Sequence, residues 1–226
     1  MDNKVLVRER VFQEDKLYDG VVVLRYKIKY PYFVSDNNQK FFDKLNDYYC
    51  MYTLDYINHD IAKMYKMAVD NYNENKKKGY PFNAYEVVSE YNVSYNKNCA
   101  ISLYFDRYEY MGGAHGNTLR YSDTWDIQKK SNILLSDLVK AIADYRNFII
   151  ESIIKTISNE IEHGNNFFFE KYEGLVRNSF KESNYYLSDV GIVVYFLQYD
   201  IAPYSSGIQT FTIPYSIDGV EEPTCY

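Results

Sequence analysis

Leu24, Tyr26, Ile28 and Tyr30 alternate with Arg25, Lys27 and Lys29, a period of two that predicts a strand with one buried and one wet face. Val5 to Phe12 also alternates and is expected to pair with it as a hairpin through Asp19-Gly20. Pro31 is expected to close the second strand, because proline cannot donate to a ladder. The period then changes. Leu45, Tyr48, Tyr52 and Tyr56, then Ile57, Ile61, Met64, Ala68 and Tyr72, keep the three-and-four spacing of one helix face. Asp36 with Gln39 suits a capping box at its start, and Gly79 and Pro81 stop it. The apolar seam slips phase near Leu54, which predicts a bend.

Alternation returns in Tyr85, Val87, Tyr91, Val93 and Tyr95, and again in Ile101, Leu103 and Phe105, with Asn96-Lys97-Asn98 as the expected turn. Gly112, Gly113 and Gly116 then mark a tight corner that carries His115, and Leu119, Tyr121, Trp125 and Ile127 resume the strand pattern. Trp125 is expected as a core anchor. Tyr108 and Tyr110 share a face with Asp106, opposite Leu103 and Phe105, and are expected under the long helix rather than as an exposed strip. Ser136-Asp137 opens a short helical turn. A helix from Asp144 to Glu162 lines up Ile149, Ile150, Ile153, Ile157 and Ile161, with Gly164 past its end. A smaller helix near Tyr172 to Lys181 precedes two last strands. Ile192 to Tyr199 is apolar on both faces, hence central; Gln209 to Ile217 is its partner, and Pro214 places that partner at an edge. The sum is an α+β protein: a mainly antiparallel sheet with helices packed on one side, in two interlocked subdomains.

Composition narrows the partners. The net charge of −6 disfavours nucleic acid, which selects basic surfaces. The one basic run, Lys76-Lys77-Lys78, sits at a helix end, where cations complement the dipole. The 27 tyrosines are explained first by an AT-rich genome; as rings with apolar area and a polar tip they would also suit protein or sugar contact. Cys50, Cys99 and Cys225 contain no CxxC pair; buried or idle thiols are the expectation, with a disulfide between two of them as the alternative. Met1 to Arg10 is neither a secretory signal nor a membrane span, so the chain as written is expected in the cytoplasm.

Catalytic candidates are few. His115 is the natural one, but a general base needs an orienting carboxylate or a nucleophile, and Asp123 and Asp126 point to opposite strand faces. A structural hairpin histidine ranks first, ligand contact second and catalysis third. His59, His115 and His163 lack ligand spacing, so no metal is expected. GxGxxG, Walker and GxSxG sequences are absent, and no cofactor is expected.

Tyr110-x-Gly-Gly-Ala-His-Gly116, Trp125-Asp-Ile127, Leu135-Ser-Asp-Leu138 and Tyr199-Asp-Ile-Ala-Pro-Tyr204 with Gly207 resemble the RsiV-like family, expected over residues 101–220. Residues 4–100, with Tyr30-Pro31 and the long helix, resemble the PdaC-type domain. The resemblance implies an extracytoplasmic binding or sensing module, since one family member belongs to a lysozyme-binding anti-sigma factor. A related module precedes the catalytic domain of certain peptidoglycan deacetylases. It implies a protein or cell-wall glycan partner, with Tyr110, Gly113, His115, Tyr199 and Tyr204 as contact residues, and a location outside the cytoplasm if a leader has been removed. A hydrolase or amidase using His115 with a carboxylate is the alternative. A structural subunit that oligomerises through a sheet edge is a third reading.

Overall fold

The computed structural model describes residues 5–35, 38–165 and 167–225. Alternating segments become strands, and those with three-and-four spacing become helices. In chain order they are β1 (Leu6–Tyr18), β2 (Val21–Val34), α1 (Gln39–Tyr56), α2 (Ala62–Lys78), β3 (Tyr85–Lys97), β4 (Ala100–Tyr110), β5 (Asn117–Asp126) and β6 (Ser131–Asn132). After these come α3 (Tyr145–Glu162), α4 (Tyr172–Ser179), β7 (Tyr185–Leu187), β8 (Gly191–Phe196) and β9 (Gln209–Pro214). The larger sheet has strand order β1-β2-β3-β4-β5-β6 and the smaller one β7-β8-β9. This is an α+β fold, largely antiparallel. The exception is β2 with β3, which run parallel because the two helices between them form the crossover that a parallel pair requires.

The chain divides into two compact units, with boundaries inside β3, β4 and β5. The first unit holds Val5–Tyr91 and Phe105–Thr118. Here α1 and α2 both pack on β2. Phe33 of β2 stacks on Phe42 and tilts against Tyr49, and Tyr49 in turn stacks on Phe105 of β4 at 5.5 Å. The buried amide of Asn46 completes the contact: its Oδ1 accepts from Phe33 N–H at 2.7 Å, and its Nδ2 donates to Phe33 C=O at 3.0 Å. The phase slip is absorbed by a π turn at Ile57–Ile61 between α1 and α2, slightly later than the sequence pattern indicates. A wider turn takes up the offset that α-helical spacing would have carried off the buried face. Asp36 lies outside the described residues; Asn38 occupies the N-cap position of α1 and makes no side-chain cap.

Pro31 does not end β2. The parallel ladder to β3 covers only Leu24–Ile28, so Pro31 lies where β2 has lost that neighbour and a missing N–H is tolerated. Nor does the long helix cover Tyr108 and Tyr110. It covers the opposite face of β4, where Phe105 meets Tyr49 and Glu109 accepts from the Tyr56 hydroxyl at 2.7 Å.

The second unit holds Asn92–Tyr104 and the chain from Leu119 onward. Its core gathers Ile149, Ile153 and Ile157 from α3 with a wholly buried β8 and Phe211 and Ile213 from β9. Asp144 caps α3 by accepting from Asn147 N–H. The β3–β4 turn is Asn98-Cys99, two residues later than expected, with both residues at positive φ (51° and 59°), as a two-residue hairpin of primed type demands. Trp125 is half-buried, and its neighbours Thr124 and Asp126 face inward instead. Thr124 meets the Ser102 hydroxyl at 2.8 Å, and Asp126 accepts from the N–H groups of Gln128 and Lys129. Cys99 and Cys225 are joined in a disulfide, against the expectation of idle thiols, because the C-terminal segment returns to the β3–β4 turn; Cys50 is free. Among the described residues no helix is long and apolar enough to cross a membrane.

The disulfide closes a loop with a sequence separation of 126. Cys225→Ser is therefore expected to lower unfolding free energy by about 2–5 kcal/mol, read as a lower urea midpoint. A second expectation concerns alkaline pH. Burial, then a hydrogen bond to Glu14, pushes the Tyr26 phenol up to about 12; burial, then a contact with the Cys50 thiol, does the same for Tyr30. Burial also pushes up Tyr56, Tyr95, Tyr185 and Tyr215. The unfolded chain releases these protons near pH 10 and the folded one does not, so stability is intact below about 10 and falls as pH rises toward 12. Phenolate absorbance should rise in two stages, the second coinciding with unfolding.

Candidate functional site

The five candidate residues divide between the two units. In the first unit, β4 ends at Tyr110 and the chain turns through Met111 to Gly116 before β5 begins at Asn117. Two glycines make this corner possible. Gly112 has φ of 78°, and a Cβ there would sit 3.3 Å from the Tyr85 ring. A Cβ on Gly116 would meet the Tyr108 ring at 2.4 Å and the Glu109 carbonyl at 2.6 Å. The corner thus lies against β3 and folds back onto β4. Gly113, by contrast, is exposed with open space around it, and nothing sterically obliges a glycine there.

His115 is exposed on the same corner, with Nδ1 2.9 Å from the Gly116 carbonyl oxygen. A carbonyl only accepts, so in this contact Nδ1 carries the proton, and proton abstraction would fall to Nε2. Tyr110 is half-buried and borders a shallow depression of about 320 Å³, shared with Arg25, Phe82, Asn83 and Glu86. Sequence reasoning missed these four. Arg25 was legible as a wet-face residue of β2, but its neighbours come from β3 and the segment before it, and no local pattern announces a parallel pairing.

Behind the corner, Arg107 lies over the Tyr56 ring at 4.0 Å, with Nε 2.9 Å from Glu109. Burial first, and the Glu109 hydrogen bond second, hold the Tyr56 phenol above its ordinary range. This cluster braces β4 against α1 just before the corner.

In the second unit, Tyr199 and Tyr204 lie on the loop between β8 and β9, their ring centroids 5.8 Å apart. The loop is built from within. Ile201 and Ala202 are buried, Leu197 N–H is accepted by Asp200 Oδ2 at 2.8 Å, and Ile201 C=O takes the N–H of Phe169. That anchoring turns Tyr199 outward at φ 69° and 56% exposure. Exposed Phe167 is tied to the same loop, since its carbonyl accepts from Ser206 Oγ at 3.3 Å. The glycine corner and the proline–tyrosine loop do not belong to one sheet. The first joins β4 to β5 in the larger sheet, and the second joins β8 to β9 in the smaller.

A third feature of the second unit is a cavity of about 270 Å³ between the Asn98-Cys99 turn, Lys129, Lys140 and the C-terminal segment Glu221 to Thr224. Its carboxylates are engaged internally: Asp137 accepts from Leu134 N–H, and Glu222 from Tyr95 and Asn98. Among the described residues no group of three or more His, Cys, Asp or Glu converges as a metal site.

Residues 21–118 match the family described as "Deacetylase PdaC", and residues 123–216 match that described as "Protein of unknown function (DUF3298)". The chain is also similar to the peptidoglycan-N-acetylmuramic acid deacetylase PdaC of Bacillus subtilis (strain 168), at 30% identity over 60 residues. That match covers 26% of this chain and 13% of the relative's length. Its fold is similar to a DUF3298 family member from Bacteroides fragilis, with a TM-score of 0.73 at 19% identity over 95% of this chain and 92% of the other. A DUF3298 family protein from Pseudomonas aeruginosa PAO1 gives 0.58 at 14% identity over 97% and 94%.

The steric analysis of the corner separates its glycines. Gly116→Ala is expected to destabilise the chain by about 1–3 kcal/mol through overpacking against β4, whereas Gly113→Ala stays within roughly 0.5 kcal/mol. Thermal denaturation of the two variants checks this.

Proposed function

We propose that the chain is a non-enzymatic recognition module for a protein or glycan partner at the bacterial cell envelope. The observation that carries this reading is the Tyr199–Tyr204 pair, presented on a loop whose backbone is anchored by buried Ile201 and Ala202. Tyr199 is exposed and half-buried Tyr204 backs it, and a held aromatic surface of this kind supplies contact area at low entropic cost. Tyr110, Gly113 and His115 supply a second contact loop on the other unit. The resemblance of the Tyr110–Gly116 and Tyr199–Gly207 motifs to the RsiV-like family, a reading of the sequence alone, favours a lysozyme-like protein, and the likeness to part of a peptidoglycan deacetylase favours the wall polymer. The Cys99–Cys225 disulfide fits an oxidising, extracytoplasmic setting, where such bonds persist.

A hydrolase or amidase centred on His115 is the second reading, favoured by an exposed imidazole whose Nδ1 is held by the Gly116 carbonyl. Calorimetry of the whole chain against lysozyme and soluble muropeptides tests the first reading. Binding by at least one, weakened tenfold or more in a Tyr199→Ala, Tyr204→Ala variant, is the expected result. No binding by either, with the protein folded, overturns it. Turnover of muropeptides that disappears in His115→Ala would install the second reading in its place.

A further inference from the structure

The outward face of the β1–β2–β3 ribbon in the first unit carries a row of charges that no described residue engages. Register places Asp15 opposite Arg25, and Arg25 opposite Glu86 on the parallel neighbour; Gln13, Lys27 and Val88 form the next row. Nearby charges are engaged. Glu14 accepts from Lys16 and Tyr26, and Lys29 is held between Glu9 and Glu90. The side chains of Asp15, Arg25, Lys27 and Glu86 make no hydrogen bond or ion pair among the described residues. Two depressions lie here. One, of about 550 Å³, runs along Gln13, Asp15 and Lys27; the other, of about 320 Å³, reaches Tyr110 and Phe82; Arg25 and Glu86 line both.

We propose that these adjoining depressions form an elongated groove that binds an uncharged or weakly charged oligosaccharide, with Arg25 and Glu86 at its centre and Tyr110 and Phe82 at one end. The proposal rests on the recognition reading and narrows its ligand to a saccharide chain. Charge decides against other occupants. The unengaged charges balance, Arg25 and Lys27 against Asp15 and Glu86, so a polyanion meets acids and a polycation meets bases. A hydroxyl both donates and accepts, so a hydroxyl-rich chain satisfies the guanidinium and the carboxylates at adjacent positions. Arg25 and Glu86 each present a planar fork that can take two neighbouring hydroxyls, and the half-buried ring of Tyr110 offers a surface for the C–H face of a terminal sugar. Shape agrees with this. Shallow depressions in series suit a chain lying along strands, and the apolar pockets that an extended peptide's alternate side chains would need are not what lines them.

The test titrates the full chain with a hexamer of N-acetylglucosamine and measures co-sedimentation with insoluble peptidoglycan, for the natural sequence, Arg25→Ala, Glu86→Ala and Lys66→Ala. The natural chain and Lys66→Ala, an exposed change on α2, are expected to bind alike. Arg25→Ala and Glu86→Ala should each weaken binding tenfold or more with circular dichroism unchanged. Amide exchange of the natural chain should slow on ligand addition at residues 13–15, 25–27 and 86–88, which gives a readout independent of variant folding. Equal binding by all four, or protection elsewhere, overturns the proposal. Binding to lysozyme without binding to saccharide or peptidoglycan overturns it and leaves the recognition reading standing. Failure to bind lysozyme, muropeptide, hexamer and peptidoglycan removes both.

Discussion

The hydroxyl of Ser102 is the interaction on which the second unit depends. It is fully buried on β4, shares a hydrogen with Thr124 of β5 at 2.8 Å, and accepts from Leu187 N–H of β7 at 3.0 Å. Strand β7 is the edge of the smaller sheet, so its outward N–H would otherwise be buried without a partner, at a cost of about 1–3 kcal/mol. One side chain thereby lets two sheets stack with no orphaned donor between them at that point. Ser122 Oγ donating to the Tyr185 carbonyl and the Tyr185 hydroxyl donating to the Ile133 carbonyl repeat the device along the same seam. Ser122 and Thr124 of β5 serve this seam, while Asp126 on the same face holds the turn that follows.

That seam also explains which parts of the fold were legible. Period-two alternation located β2, β3 and β4, a run apolar on both faces located β8, and three-and-four spacing located α1, α2 and α3, because each buries a continuous apolar surface. The phase slip in the long helix was visible as a break in that spacing, and it became a π turn. Three-residue β7 has no pattern long enough to read, and Trp125 was assigned inward because tryptophan outweighs threonine in any hydrophobic reading. The inward face of β5 is set instead by Ser102 across the ladder, a partner no local window contains. Pro31 and the parallel β2–β3 pairing were hidden for the same reason: both depend on which strand lies alongside. The disulfide needed the C-terminal segment to return to the β3–β4 turn, a long-range fact.

The candidate site was legible in composition and not in arrangement. Gly112 and Gly116 announced a corner, and the structure gives each a steric reason. The aromatic pair on the β8–β9 loop was visible as Tyr199 and Tyr204, but its presentation depends on buried Ile201 and Ala202 and on the Asp200 cap of the turn. Arg25 and Glu86 were the quiet residues. Each looks like ordinary wet-face charge in its own strand, and only the parallel register sets them side by side.

The crossings of the chain between its two units bear on biosynthesis. Strands β3, β4 and β5 each contribute residues to both, so neither unit is a continuous stretch of polypeptide. A ribosome that has released Val5–Tyr91 has still to emit Phe105–Thr118 before the first unit owns all its parts. Until then Phe33 and Tyr49 await Phe105, and the nascent ribbon exposes an aromatic face that a holdase could shield. Vectorial synthesis thus delays closure of the first unit until Thr118 has left the exit tunnel.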